Sequence, residues 1–200
     1  MAKGLIHIEQ KQKEIYTPKS QDGKFNIIYA DPPWQYGDSH NLGGAGKIYD
    51  LMSMEDLYNL PVKDITADDA VCFMWVTYPF LQEGLNLFNA WGFQYKTIGF
   101  QWIKTTKNGK LFWGCGNWTR ANSEPCLIGV KGKPKAKVHN IHQVIMEPMT
   151  KHSEKPKIIR DKIVELCGDL PRVELFARTP APGWHVWGNE INSDNIFNNQ

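Results

Sequence analysis

Nowhere in the 200 residues do about 18 consecutive apolar residues occur, so no membrane-spanning helix is expected. The opening residues, MAKGLIHIEQKQKE, lack the apolar run of a signal peptide. Cysteine is scarce: Cys72, Cys115, Cys126 and Cys167 lie far apart, with no C-x-x-C pair and no disulfide-scaffold density, and they read as reduced core residues. An excess of one charge is also missing. A net +2 is too mild to announce a nucleic-acid binder by itself, although a local basic patch could still do that work. No G-x-G-x-x-G follows an early strand, so a phosphate-cradling dinucleotide site has no support. Internal repeats and low-complexity segments are absent as well. What is present, 42% hydrophobic and 22% charged residues, describes one soluble, cytoplasmic domain large enough for a real core.

The apolar pattern alternates strands with helices. Residues 1–24 are polar, Lys-rich and aperiodic and read as an arm, and Phe25 to Tyr29 form the first strand. Residues 35–48 are glycine-rich and without period, a loop of functional length. Ser53 and Asp56 resemble a capping box opening a short helix that Pro61 ends. AVCFMWVT (70–77) is too short for most helices and rich in β formers, hence a buried strand. A helix follows from Pro79, through Leu81, Leu85 and Phe88, to Gly92. Tyr95 to Ile103 and Pro125 to Val130 are further strands, and residues 131–150 read as a long linker with lysines at 131, 133, 135 and 137. A last helix spans Pro156 to Gly168 and a last strand Arg172 to Ala177. This order predicts a mostly parallel sheet with helices on both faces.

The chemistry concentrates in IIYADPPWQYG (27–37). Two consecutive prolines remove two backbone donors and force the strand out of its sheet in a stiff, extended form. Asp31 and Trp34 are thereby held at a strand's carboxyl end, where open α/β sheets place ligands. Asp31 and the Pro32 carbonyl offer two acceptors to one amino group, and Trp34 offers a plane to its ring. An Asx-type turn acid and a core aromatic are the plainer readings of the same residues. His139 and His142 have no Cys or acid at metal-ligand spacing, and no metal is expected.

With DPPW come YDLM (49–52), FMWVT (73–77), WTRANSEPCLIGVKG (118–132), HSEKP (152–156) and VELFARTPAPGWHVWGNE (173–190). These blocks, in this order, resemble the MT-A70-like adenine-N6 methyltransferases, small stand-alone bacterial or phage type, over most of the chain. The resemblance implies a Rossmann-like class I S-adenosylmethionine-dependent methyltransferase over residues 25–192, in permuted motif order, with residues 193–200 as a tail. It implies catalysis at Asp31, Pro32, Pro33 and Trp34, and a base contact from Tyr49. It further implies cofactor contacts from Asp31, Ser153, Lys155, Arg178, Asn189 and Glu190, with S-adenosylhomocysteine as product. Where the family often has Asn-Gln, this chain has Asn189-Glu190. Trp118, Arg120, Asn122 and Glu124 form a polar cluster before a buried strand; buried-edge ion pairing explains them, the block match implies that they organise the site, and no individual role is assigned.

Lys131 to Lys137, Lys133 and Lys135 among them, and the Lys-rich arm could contact phosphates, although alternating lysines also suit an exposed linker. DNA is the first expectation for the substrate and RNA the alternative. A non-catalytic subunit of the same fold is a third reading, against which the intact DPPW argues. The compartment would be the host cytoplasm for a phage-encoded chain; the oligomeric state stays open.

Overall fold

A computed structural model describes residues 22–34, 52–150, 154–189, 191 and 196–197. Most of the arm and tail, and the glycine-rich loop, lie outside the described residues. Among the described residues the apolar runs form seven strands: β1 Phe25–Ala30, β2 Thr66–Trp75, β3 Gln94–Thr105, β4 Ser123–Lys131, β5 Val144–Pro148, β6 Arg172–Leu175 and β7 His185–Trp187. They make one sheet in the order β5-β3-β4-β2-β1-β6-β7. All run in one direction except β4, which is antiparallel to both β2 and β3.

Both faces of the central strands are covered, which is why β1 and β2 read as continuous apolar runs rather than alternating ones. Ile28, Ala30, Cys72 and Met74 point to one face, with Leu57 of α1 (Met54–Asn59) and Leu87 and Phe88 of α2 (Leu81–Ala90). Ile27, Tyr29, Val71, Phe73 and Trp75 point to the other, with Ile159 and Ile163 of α3 (Ile158–Cys167). The expected cap on α1 forms: Ser53 Oγ accepts from the Asp56 N–H at 3.1 Å and donates to Asp56 Oδ2 at 2.7 Å. The shorter acid therefore reaches the hydroxyl of its capping partner.

Gly129 of β4 lets α2 approach closely. A Cβ there would sit 2.6 Å from the ring of fully buried Phe88. Gly129→Ala should destabilise the fold by about 1–3 kcal/mol through overpacking, read as a lowered urea midpoint; an unchanged midpoint would show that Phe88 can move aside.

Several expectations need correcting. The 131–150 linker contains β5, an edge strand on which Ile145 is buried while Val144 and Met146 are exposed. β6 stops at Leu175, because Phe176 turns the chain with a positive φ of 63°. Cys72 and Cys126 are core residues as expected, but Cys115 is exposed.

Candidate active site

The carboxyl ends of β1, β2, β3, β6 and β7 share one edge of the sheet, and reversed β4 begins there. Asp31 leaves β1, Lys104 lies near the end of β3, Glu124 is the second residue of β4, and Lys155 precedes α3. These four side chains form an alternating chain of charge. The Lys155 ammonium lies 2.9 and 3.0 Å from the two Asp31 oxygens and 3.0 Å from Glu124 Oε1; Lys104 Nζ lies 2.9 Å from Glu124 Oε2. Lys155 and Glu124 are only 11% and 9% exposed, so the two cations balance two anions in a poorly solvated place. The Lys155 ammonium also sits 5.7 Å from the centre of the Trp75 ring.

The surrounding fold aims Lys155. Pro156 follows it at the entrance to α3, and α3 is fastened to β6 by Arg160, whose Nε and Nη2 donate to Glu174 at 2.6 and 2.8 Å. Burial pushes the Asp31 carboxyl above its ordinary value, and Lys155, opposing it, does not fully cancel the effect. For Glu124 burial acts the same way, but the ammonium groups of Lys155 and Lys104 outweigh it and hold the carboxyl low. Lys155 is held firmly charged: burial disfavours its charge, and the two carboxylates more than compensate.

The DPPW turn is stiff and partly self-satisfied. The Pro32 carbonyl accepts from the Trp34 N–H at 2.9 Å, leaving it a second lone pair. Pro33 is half-buried. Trp34 is a core residue: its indole N–H donates to the Trp75 carbonyl at 3.3 Å, and its ring stacks on Phe80. The open stacking plane expected of it is thus largely used up in fixing the turn.

Beyond β6, the Ala177 N–H donates to the Trp187 carbonyl at 2.9 Å. A Cβ on Gly188 would lie 2.2 Å from the Ala177 oxygen, so only glycine permits this approach. The close approach brings the strand ends carrying Arg178 and Asn189 together. Asn189 is exposed, and the charge of half-buried Arg178 acts on the Asp31 carboxyl. Tyr49, Ser153 and Glu190 lie outside the described residues.

Lys133 and Lys135 are not part of this cluster. β4 runs backwards, so the segment after Lys131 emerges at the opposite edge of the sheet, where the Lys133 N–H meets Asp69 Oδ1 at 2.6 Å. Both lysines rim a separate cavity of about 310 Å³ lined by Val71, Phe73, Ile128 and Leu166. Of the charge chain, Lys104 is not singled out by the sequence, and Glu124 stands there only within a polar cluster without an individual role. The available signal was a charged residue at the end of an otherwise apolar strand, in SEPCLIGV and FQWIKT.

A seven-stranded, mostly parallel sheet with helices on both faces and its charged cluster at the carboxyl edge is a Rossmann-like methyltransferase fold. The MT-A70 family model matches residues 25–190, and the chain belongs to that family. It is similar to the Type II methyltransferase M.MunI of a Mycoplasma species, 35% identical over 200 residues covering 90% of this chain and 83% of that protein. It is also similar to the N(6)-adenosine-methyltransferase catalytic subunit METTL3 of Homo sapiens, 31% identical over 187 residues. There the match covers 91% of this chain but 31% of the relative, so the chain spans about a third of METTL3. Among the described residues no helix is long and apolar enough to cross a membrane.

Proposed function

We propose that this methyltransferase transfers the methyl group of S-adenosylmethionine to the exocyclic N6 amine of adenine in DNA. The observation that carries the reading is Asp31, an acid fixed by Lys155 at the carboxyl end of β1, next to a proline carbonyl with a lone pair to spare. The cofactor is a sulfonium nucleoside without phosphate, and a strand-end cluster of carboxylates, in a sequence where no G-x-G-x-x-G follows an early strand, suits it. Asp31, Lys155, Arg178 and Asn189, with Ser153 and Glu190, are the residues proposed to hold it. When bound, S-adenosylmethionine supplies a methyl activated by the positive sulfur.

The protein's own part is positioning and electrostatics. Asp31 and the Pro32 carbonyl accept the two amino hydrogens and draw the nitrogen lone pair out of the purine ring. Lys155 keeps the Asp31 carboxylate from turning, since it contacts both oxygens. Pro33 and Trp34 act as positioning residues that stiffen the turn, and Tyr49 is proposed to meet the base. One proton must leave the methylated nitrogen. Asp31 is placed to take it, and its raised pKa makes it a better acceptor than an ordinary aspartate. A base in duplex DNA would first be flipped out, at a cost of a few kcal/mol.

DNA is favoured over RNA by the degree of similarity: identity is 35% to the Type II methyltransferase and 31% to the N(6)-adenosine relative. Incubation with methyl-tritiated S-adenosylmethionine and separate DNA and RNA pools, followed by nucleoside digestion, should place the label in N6-methyldeoxyadenosine. Label confined to RNA would support the alternative substrate. Cofactor binding with no label in either pool would leave a non-catalytic subunit.

A further inference from the structure

Two of the eight tryptophans are largely exposed to water. Trp118 is 99% and Trp113 77% exposed, whereas Trp34, Trp75, Trp91, Trp102 and Trp184 are buried and Trp187 half-buried. Both exposed rings belong to the β3–β4 connection, residues 106–122, which leaves the sheet just beyond Lys104 and returns just before Glu124. The connection therefore rises from the same edge as Asp31.

This segment is folded closely on itself. The Phe112 N–H donates to the Lys104 carbonyl at 2.9 Å and the Ala121 N–H to the Cys115 carbonyl at 3.3 Å. A Cβ on Gly114 would lie 2.0 Å from the Ala121 oxygen, and one on Gly116 2.1 Å from the Thr119 oxygen. Two glycines thus allow a tight backbone crossing that holds both indoles outward. The segment carries Lys107, Lys110 and Arg120 and no acid, and the Arg120 guanidinium sits 5.5 Å from the centre of the Trp113 ring. Aromatic planes interleaved with cations and no anions fit a polyanion whose units carry flat rings.

We propose that the 106–122 segment is a stacking platform for the DNA strand flanking the target adenine, with a base on Trp118 and phosphates near Lys107, Lys110 and Arg120. The proposal rests on the function proposed above and specifies which surface holds the substrate. It moves the phosphate contacts from Lys133 and Lys135, at the far edge of the sheet, to the edge that carries Asp31.

The test is fluorescence anisotropy on the full chain with a fluorescein-labelled, adenine-containing 24-nucleotide DNA strand, and the same sequence as duplex and as RNA. Trp118→Ala should weaken binding to the DNA strand about tenfold, the order expected for losing one base–aromatic stack. Trp118→Phe should recover most of that loss, and Lys110→Gln should flatten the salt dependence by about one ion. Circular dichroism and unchanged affinity for S-adenosylmethionine would show that the variants are folded. Wild-type affinity in folded Trp118→Ala overturns the platform, and so does a loss confined to RNA. Loss of self-association in sedimentation, with DNA affinity intact, overturns it in favour of a second copy covering the patch. If the wild type methylates DNA in any of these cases, the proposed function survives; if it neither binds nor methylates DNA, both fail.

Discussion

Asp31→Ala should abolish methyl transfer, with kcat falling by at least about 10²–10³-fold, the usual effect of deleting one preorganised polar group at a reacting centre. The chain should remain folded. Lys155, the ammonium that Asp31 shares, keeps Glu124 at 3.0 Å, and Asp31 itself is 23% exposed, so the lost pair is not a fully buried one. Asp31→Asn makes the stricter test, because it keeps the shape while removing the charge and turning one acceptor into a donor that opposes the substrate amine. Single-turnover transfer of a tritiated methyl, with circular dichroism as the folding control, decides the matter. Near-normal turnover in either folded variant would remove Asp31 from the reaction.

The same carboxyl sets the acid limb of the rate. In the proposed reaction Asp31 acts ionised, and burial raises its pKa despite Lys155, so activity should fall with decreasing pH at a midpoint above that of an ordinary aspartate. Stability should follow a flatter course. A carboxyl with a raised folded pKa, such as Asp31, contributes stability below its unfolded value, and that contribution is lost as pH rises through the folded value. Glu124 is lowered, so its contribution is present above the unfolded pKa and lost as pH falls through the folded one. The two oppose each other, and activity should therefore fail on the acid side before the fold does.

The central strands were legible because they are buried on both faces: FNIIY, AVCFMW and PCLIGV are short, largely apolar runs that a covered strand explains. The sheet edges were not. In VIMEP only Ile145 is buried, and HVW is three residues long, so neither carries a pattern distinct from a loop. β2 began four residues early because Asp68 and Asp69 are exposed at its open end, with no apolar signal to mark them. The reversal of β4 mattered most for function. Sequence spacing gives no strand direction, and direction alone decides that Glu124 lies beside Asp31 while Lys133 and Lys135 lie across the sheet. Lys155 stands out in the sequence through its motif, but its protein partners, 124 residues away at Asp31 and 31 away at Glu124, are products of the fold.

Lys155→Met should cost the most stability of any single change at the site, about 3–5 kcal/mol at pH 7, the range for breaking a buried ion pair from one side. Methionine keeps the stem's packing, leaving the lost ammonium as the main change. Without it Asp31 and Glu124 confront each other. Glu124 still has Lys104 at 2.9 Å, so the uncompensated charge falls mainly on Asp31, which retains the influence of Arg178. The Asp31 pKa should then rise further, and the variant's folded state should bind more protons than its unfolded state. By linkage its stability deficit should shrink as pH falls from 7 to 5, while the acid limb of any remaining activity moves to higher pH. Adding Glu124→Gln should recover part of the loss, since it removes the opposing carboxylate; independent sites would instead give additive losses. Urea denaturation of the wild type, both single variants and the double variant at pH 7 and pH 5 measures all of this. A deficit that is the same at both pH values, with no recovery in the double variant, would mean that Lys155 acts through packing alone and that Asp31 is held in its ionised state by something other than this ammonium.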